Sequence, residues 1–187
     1  MTSDTQRLFV VTGGPGSGKT TLIDALAHAG CARSIEAGRG VIQDQVMIGG
    51  PALPWRDPQA FAELMLCWEM RSYHLAQEQA GPLFFDRGVP DVIGYLRMLR
   101  LPVPRHMERA AAAFRYHRRV FIAPPWPDIF RQDRERKQSL EEAVRTYEAM
   151  VDVYGAYGYE LVELSRSSVE QRVRFVLETA GIVGTAR

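Results

Sequence analysis

Short apolar runs alternate along this chain with stretches in which apolar residues recur every three or four positions. The run Leu8-Phe9-Val10-Val11 predicts a strand over 8–12. Leu22, Ile23 and Leu26 predict a helix over about 18–29, stopped by Gly30. A short strand around Arg33-Ser34-Ile35 leads to Glu36, then to a helix with Val41, Ile42 and Val46 on one side. Residues 49–55 form a loop, and Asp57-Pro58 reads as an N-cap followed by proline at the first helical position. The helix it opens runs towards Gln79, with Phe61, Leu64, Met65, Trp68 and Leu75 as its apolar stripe. Leu83-Phe84-Phe85-Asp86 predicts a buried strand ending in a carboxylate. Helices over 90–99 and 105–117 follow, separated by Leu101-Pro102-Val103-Pro104. Residues 119–123 predict a fourth strand, stopped by Pro124-Pro125-Trp126-Pro127. Ser139 with Glu142 forms a capping box for a helix reaching Tyr157. Residues 160–164 predict the last strand, and Ser167 with Glu170 caps a final helix to Ala180.

Strands separated by helices imply an α/β fold, a parallel sheet covered on both faces. With 187 residues the chain is long enough for one well-buried core and short for two, so one domain over 1–187 is expected. The formal charge of +1 makes no case for a nucleic-acid or membrane surface. Cys31 and Cys67 lack metal-like spacing and read as free thiols of a reducing compartment. No apolar run is long enough to cross a bilayer, and a cytoplasmic location is the expectation. The four histidines show no ligand spacing. Asparagine is absent, which rules out an Asn-Lys-x-Asp guanine-reading motif and argues against a typical GTPase.

The most specific signal is GGPGSGKTT, in which Gly13, Gly18, Lys19 and Thr20 complete G-x-x-x-x-G-K-[ST] between a predicted strand and a predicted helix. Gly13, Gly14, Pro15, Gly16, Ser17, Gly18, Lys19, Thr20 and Thr21 are therefore expected to wrap the phosphates of ATP. Successive N–H groups converge on the anion, and the helix dipole adds to the field. Lys19 should reach the β and γ phosphates, and the Thr20 hydroxyl should ligate Mg²⁺.

Asp86, at the end of its strand, is expected to complete the Mg²⁺ shell opposite Thr20; the alternative is an ordinary turn cap. Arg87 could clamp an anionic acceptor or make a structural ion pair. Glu36 lies near the crevice beyond the strand ends, where a general base could take the proton of an attacking hydroxyl. Arg39 could bind the acceptor or simply pair with Glu36. Trp55 and Arg56 could touch an acceptor, although a loop anchored by a buried tryptophan explains them equally. The arginine-rich stretch 131–137 reads either as a lid, spanning about 126–138, or as a solvated charged face. As a lid it would use Arg131 and Arg134, followed by Arg136. Adenine contacts are expected from the Ser165-Arg166 loop and the lid backbone.

Together FVVTGGPGSGKTTL, Glu36-x-x-Arg39, PWRDP, FFDRG, VFIAPPWP and the 131–137 segment resemble a family of small predicted ATPases classed among AAA-type domains. These are similar to the kinase half of bacterial NAD regulators and to nucleoside and nucleotide kinases. FFDRG resembles the thymidylate-kinase-like arrangement, which implies metal and acceptor duty for Asp86 and acceptor phosphate for Arg87. The resemblance implies a five-stranded parallel sheet in order 2-3-1-4-5 with a lid after strand four. A helical C-terminal subdomain and unfoldase activity are not expected, since the chain after Leu164 has room for about one helix.

Two functions follow as expectations. One is a small-molecule kinase passing the γ-phosphoryl of Mg-ATP to a nucleoside, nucleotide or similar metabolite, working as a monomer or homodimer. The other is a regulatory ATP-binding switch with slow hydrolysis, acting on a protein partner.

Overall fold

In the computed structural model, which describes residues 5–130 and 139–182, apolar alternation along each strand divides the core in two. A short 3-10 turn, Thr5–Arg7, leads into β1 (Leu8–Gly13) and α1 (Lys19–His28). Next come β2 (Ala32–Arg33), α2 (Ala37–Ile48) and α3 (Pro58–Gln77). β3 (Leu83–Asp86), α4 (Val89–Met98) and α5 (Arg105–Ala113) follow. The described chain ends with β4 (Arg119–Ala123), α6 (Leu140–Ala156), β5 (Glu160–Glu163) and α7 (Val169–Thr179).

All five strands join one parallel sheet in the order β2-β3-β1-β4-β5, the order that the family resemblance implies. Because side chains alternate across a strand, Leu8, Val10, Leu83, Phe85, Val120 and Ile122 face one side. There they meet α2 to α6. Phe9, Val11, Phe84, Phe121 and Ala123 face the other side, against α1 and α7. β1 is flanked on both sides, so all six of its residues are buried, as in a doubly covered parallel sheet. From β1 the chain crosses to β2 and then β3 on one side, and from β3 it crosses past β1 to β4 on the other. The crevice at the carboxyl end of β1 is thus the switch point where such sheets bind ligands.

Several elements depart from the expectation for tertiary reasons. α5 stops at Ala113, because the chain must turn back to the sheet: the His117 N–H donates to the Leu8 carbonyl at 2.7 Å. On that return Tyr116 is buried, with its ring 5.0 Å from that of Phe85. On α3 the buried face carries Phe61, Ala62, Met65, Leu66, Glu69, Tyr73 and Ala76, while Leu64 and Leu75 are exposed. The true face is turned roughly 90° from the apolar stripe. On α2, Val41 and Ile42 are buried, but Val46 is exposed along with Met47 and Ile48. β2 is only Ala32–Arg33, and Glu36 is the N-cap position of α2 rather than a strand end. The cap of α7 is Ser168 with Gln171, one residue past the expected pair.

Candidate functional site

β1 delivers its last residue, Gly13, directly beside β4. At Gly13 φ is 126°, and an added Cβ would stand 2.3 Å from the Ala123 carbonyl oxygen, so only glycine fits there. Gly14 is equally tight against the other neighbour: a Cβ would lie 2.3 Å from the carbonyl oxygen of Ala143 in α6. The loop is thereby seated between β4 and α6 before it turns into α1. Inside it, Ser17 Oγ donates to the Gly14 carbonyl at 2.8 Å, and Lys19 Nζ donates to the same oxygen at 2.6 Å. Lys19 is buried, so its ammonium is held within the loop instead of being free in solvent.

Register carries the second group to the loop. Asp86 lies opposite Val11 of β1, which brings its carboxylate to the start of α1, where Thr20 Oγ1 donates to Asp86 Oδ2 at 3.0 Å. Asp86 Oδ1 is buried without a hydrogen-bond partner among the described residues. Burial and the nearby Glu36 push the Asp86 pKa up, opposed by Lys19, Arg87 and the Thr20 bond.

Arg87 adopts a φ of 77°, unusual for a residue with a side chain. From there Nε donates to Glu36 Oε1 at 3.1 Å, and one terminal nitrogen donates to the Gly13 carbonyl at 3.0 Å and Asp91 Oδ1 at 3.2 Å. Burial alone would lower its pKa, but Glu36, Asp91 and Asp86 outweigh it and raise the pKa above the ordinary value. Asp91, on α4, anchors this arginine. Its carboxylate accepts from Thr12 Oγ1 at 2.6 Å, Tyr154 Oη at 2.6 Å and the Gly88 N–H at 3.0 Å. Arg87 thus forms ion pairs with both Glu36 and Asp91.

A cavity of about 510 Å³ opens over the loop. Loop residues 15–21 form its floor, with Glu36 and Arg39 at one side. Trp126, Ile129, Phe130, Ser167, Ser168, Val169 and Arg172 form the other side. Glu36 and Arg39 are thus brought to the loop as the sequence suggested. Arg87 stands behind Glu36 and does not line the cavity. Arg56 and Trp55 are exposed and away from the lining, which removes the buried-tryptophan anchor as an explanation for that loop. Arg131, Arg134 and Arg136 lie outside the described residues, as does most of the expected lid. Ser165 and Arg166 do not line the cavity; Ser167 and Ser168 do.

Three residues escaped sequence reading. Asp91 and Glu69 are buried carboxylates on helices, and nothing local separates them from surface acids. Arg172 could have been noticed, because it falls three residues after Val169 and four before Val176, on the apolar side of α7.

Residues 8–172 match the family model described as the AAA domain. The chain belongs to the AAA domain family. Its P-loop fold recurs in solved structures at low identity. A structure of NadR protein in complex with NR is 17% identical with a TM-score of 0.69, covering 98% of this chain and 53% of that one. NadR protein in complex with NAD and AMP-PNP is also 17% identical, with a TM-score of 0.70 and coverages of 98% and 52%. Thymidylate kinase from Ehrlichia chaffeensis is 15% identical with a TM-score of 0.62, covering 92% and 97%. The chain spans about half the length of the NadR chains. No curated protein matches the sequence. Like these structures, the AAA domain described here carries helices on both faces of a five-stranded parallel sheet in order 2-3-1-4-5.

Proposed function

We propose that this AAA-family protein is a small-molecule kinase that passes the γ-phosphoryl of ATP to a hydroxyl or phosphate of a nucleoside, nucleotide or similar metabolite. The observation that carries the reading is one cavity bounded by both a P-loop and Glu36, whose carboxylate accepts from Arg87 behind the wall. A bare ATP switch needs the loop but no second set of buried charges at its edge.

Thr20 and Asp86 fit Mg²⁺. They are adjacent hard oxygen donors, and Asp86 Oδ1 has no partner among the described residues. Among the described residues no cluster of three or more acidic, histidine or cysteine side chains could hold a metal. That suits an ion that keeps several waters and takes further oxygens from phosphate. Mg²⁺ bound there would neutralise charge developing on the phosphates. The loop amides and Lys19 bind the triphosphate, with Lys19 leaving the Gly14 carbonyl for phosphate oxygens. Glu36, at the cavity wall, accepts the acceptor's proton as the new P–O bond forms and the bond to ADP breaks. Arg87 fixes the Glu36 carboxylate, and Arg39, also on the wall, binds an anionic acceptor group.

The test is ADP formation from Mg-ATP, alone and with pooled nucleosides, nucleoside monophosphates, nicotinamide riboside and small sugars. Stimulation by one pool is expected and narrows the acceptor in the same assay. A slow rate that no pool changes would overturn the kinase in favour of an ATP-dependent switch. Glu36→Gln should lower transfer by about 10²-fold while leaving ATP affinity within about twofold; unchanged transfer would remove Glu36 as the base.

A further inference from the structure

Arg172 enters the loop region from α7, the last helix, more than 150 residues after the motif it touches. It is only 2% exposed, and among the described residues no carboxylate pairs with it. Its two terminal nitrogens point at backbone carbonyls, Ser17 at 3.4 Å and Gly18 at 3.5 Å, and its Nε is buried without a hydrogen-bond partner among the described residues. Above it the Trp126 ring lies with its centroid 5.8 Å from the guanidinium carbon. Two long contacts are meagre compensation for removing a guanidinium from water.

The identity of those carbonyls gives the arrangement a purpose. The Ser17 carbonyl shares its peptide with the Gly18 N–H, and the Gly18 carbonyl shares its peptide with the Lys19 N–H. In a phosphate-binding loop such N–H groups face the anion, and the carbonyls face away. A cation on the carbonyl side polarises each peptide and makes its N–H a stronger donor. It also places positive charge beside the loop, where a bound polyphosphate would compensate it.

We propose that Arg172 is a positioning residue for the triphosphate, acting through the Ser17–Gly18 and Gly18–Lys19 peptides from the α7 wall of the cavity, with Trp126 shielding it from water. Burial lowers the Arg172 pKa. The inference rests on the triphosphate reading above, but its readout is binding. An absence of acceptor-stimulated transfer would therefore sink the kinase and leave this proposal standing.

The experiment is calorimetric titration of Mg-ATP and of Mg-tripolyphosphate into the wild type, Arg172→Met and Arg172→Lys. Because tripolyphosphate has no base or sugar, a residue acting through the loop must affect both ligands. Arg172→Met should weaken both by about tenfold, with Arg172→Lys between the two proteins. Weaker ATP binding with unchanged tripolyphosphate binding would overturn the proposal and assign Arg172 to the base or ribose. A lower melting temperature with both affinities intact would also overturn it, leaving Arg172 a packing residue. Should Arg172→Met not fold, Trp126→Leu admits water to the guanidinium and should weaken both ligands by about threefold; no loss for either would refute the idea.

Discussion

Four buried carboxylates, Glu36, Glu69, Asp86 and Asp91, surround the single Arg87 guanidinium, and this imbalance sets what individual residues do. Glu69 shows it most clearly. Burial pushes its pKa well above the ordinary 4.5, Asp91, Asp86 and Glu36 push it further, and Arg87 opposes. A carboxyl that holds its proton more tightly in the folded protein than in the unfolded chain loses stability as pH rises between the two pKa values. The wild type should therefore become less stable as pH climbs above about 4.5 towards neutrality. Glu69→Gln should flatten that decline and raise the melting temperature at neutral pH, as thermal scans across the range would show. An equally steep decline in the variant would mean that other groups carry it. Lys19→Ala should cut ATP turnover by more than about 10²-fold with circular dichroism unchanged. Undiminished turnover in a folded variant would show that the chemistry lies elsewhere. Lys19 was legible from sequence because the motif prescribes its position. Glu69 was not, because a glutamate on a helix looks the same whether it faces water or Arg87.

At the scale of elements, local capping chemistry was readable to within one residue. Ser139 Oγ accepts from the Glu142 N–H while the Glu142 carboxylate accepts from the Ser139 N–H, the box expected for α6. At α7 two serines and two polar partners offer alternative registers, and the helix selects Ser168 with Gln171. Ser168→Ala should cost about 1 kcal/mol in denaturant unfolding, and Ser167→Ala less than about 0.5 kcal/mol. Equal losses would place the cap at neither residue alone. The register matters to function, because it sets which side of α7 presents Arg172 to the loop. The rotated face of α3 has a related cause. Two alanines, Glu69 and Tyr73 are buried there, whereas Leu64 and Leu75 are left outside, so hydrophobicity alone pointed to the wrong side. Small residues let helices approach, and Tyr73 Oη is satisfied by the Arg115 carbonyl, neither of which a periodicity of apolar residues records.

Across the whole molecule the site is assembled from β1, β3, α2, the turn after β4, and α7, so a ligand held there ties distant segments together. A non-hydrolysable Mg-ATP analogue at about 100 times its Kd should stabilise the fold by about 2.7 kcal/mol. That corresponds to roughly 5–10 °C in melting temperature for a chain of this size, and Lys19→Ala should abolish most of it. No shift in the wild type would refute triphosphate binding. The sequence by itself determined the α/β alternation, the phosphate loop and the carboxylate ending β3. Each is encoded within a few adjacent residues, by strand periodicity or by the stereochemistry of glycine, and its neighbours in space follow from strand order. Only the tertiary structure decided that Arg87 turns inward to Glu36 and Asp91, that Glu69 joins them, and that Arg172 reaches the loop carbonyls. Those choices depend on which opposite charges and carbonyls the packed helices bring within about 3–4 Å, and residues far apart in the chain do not announce that distance.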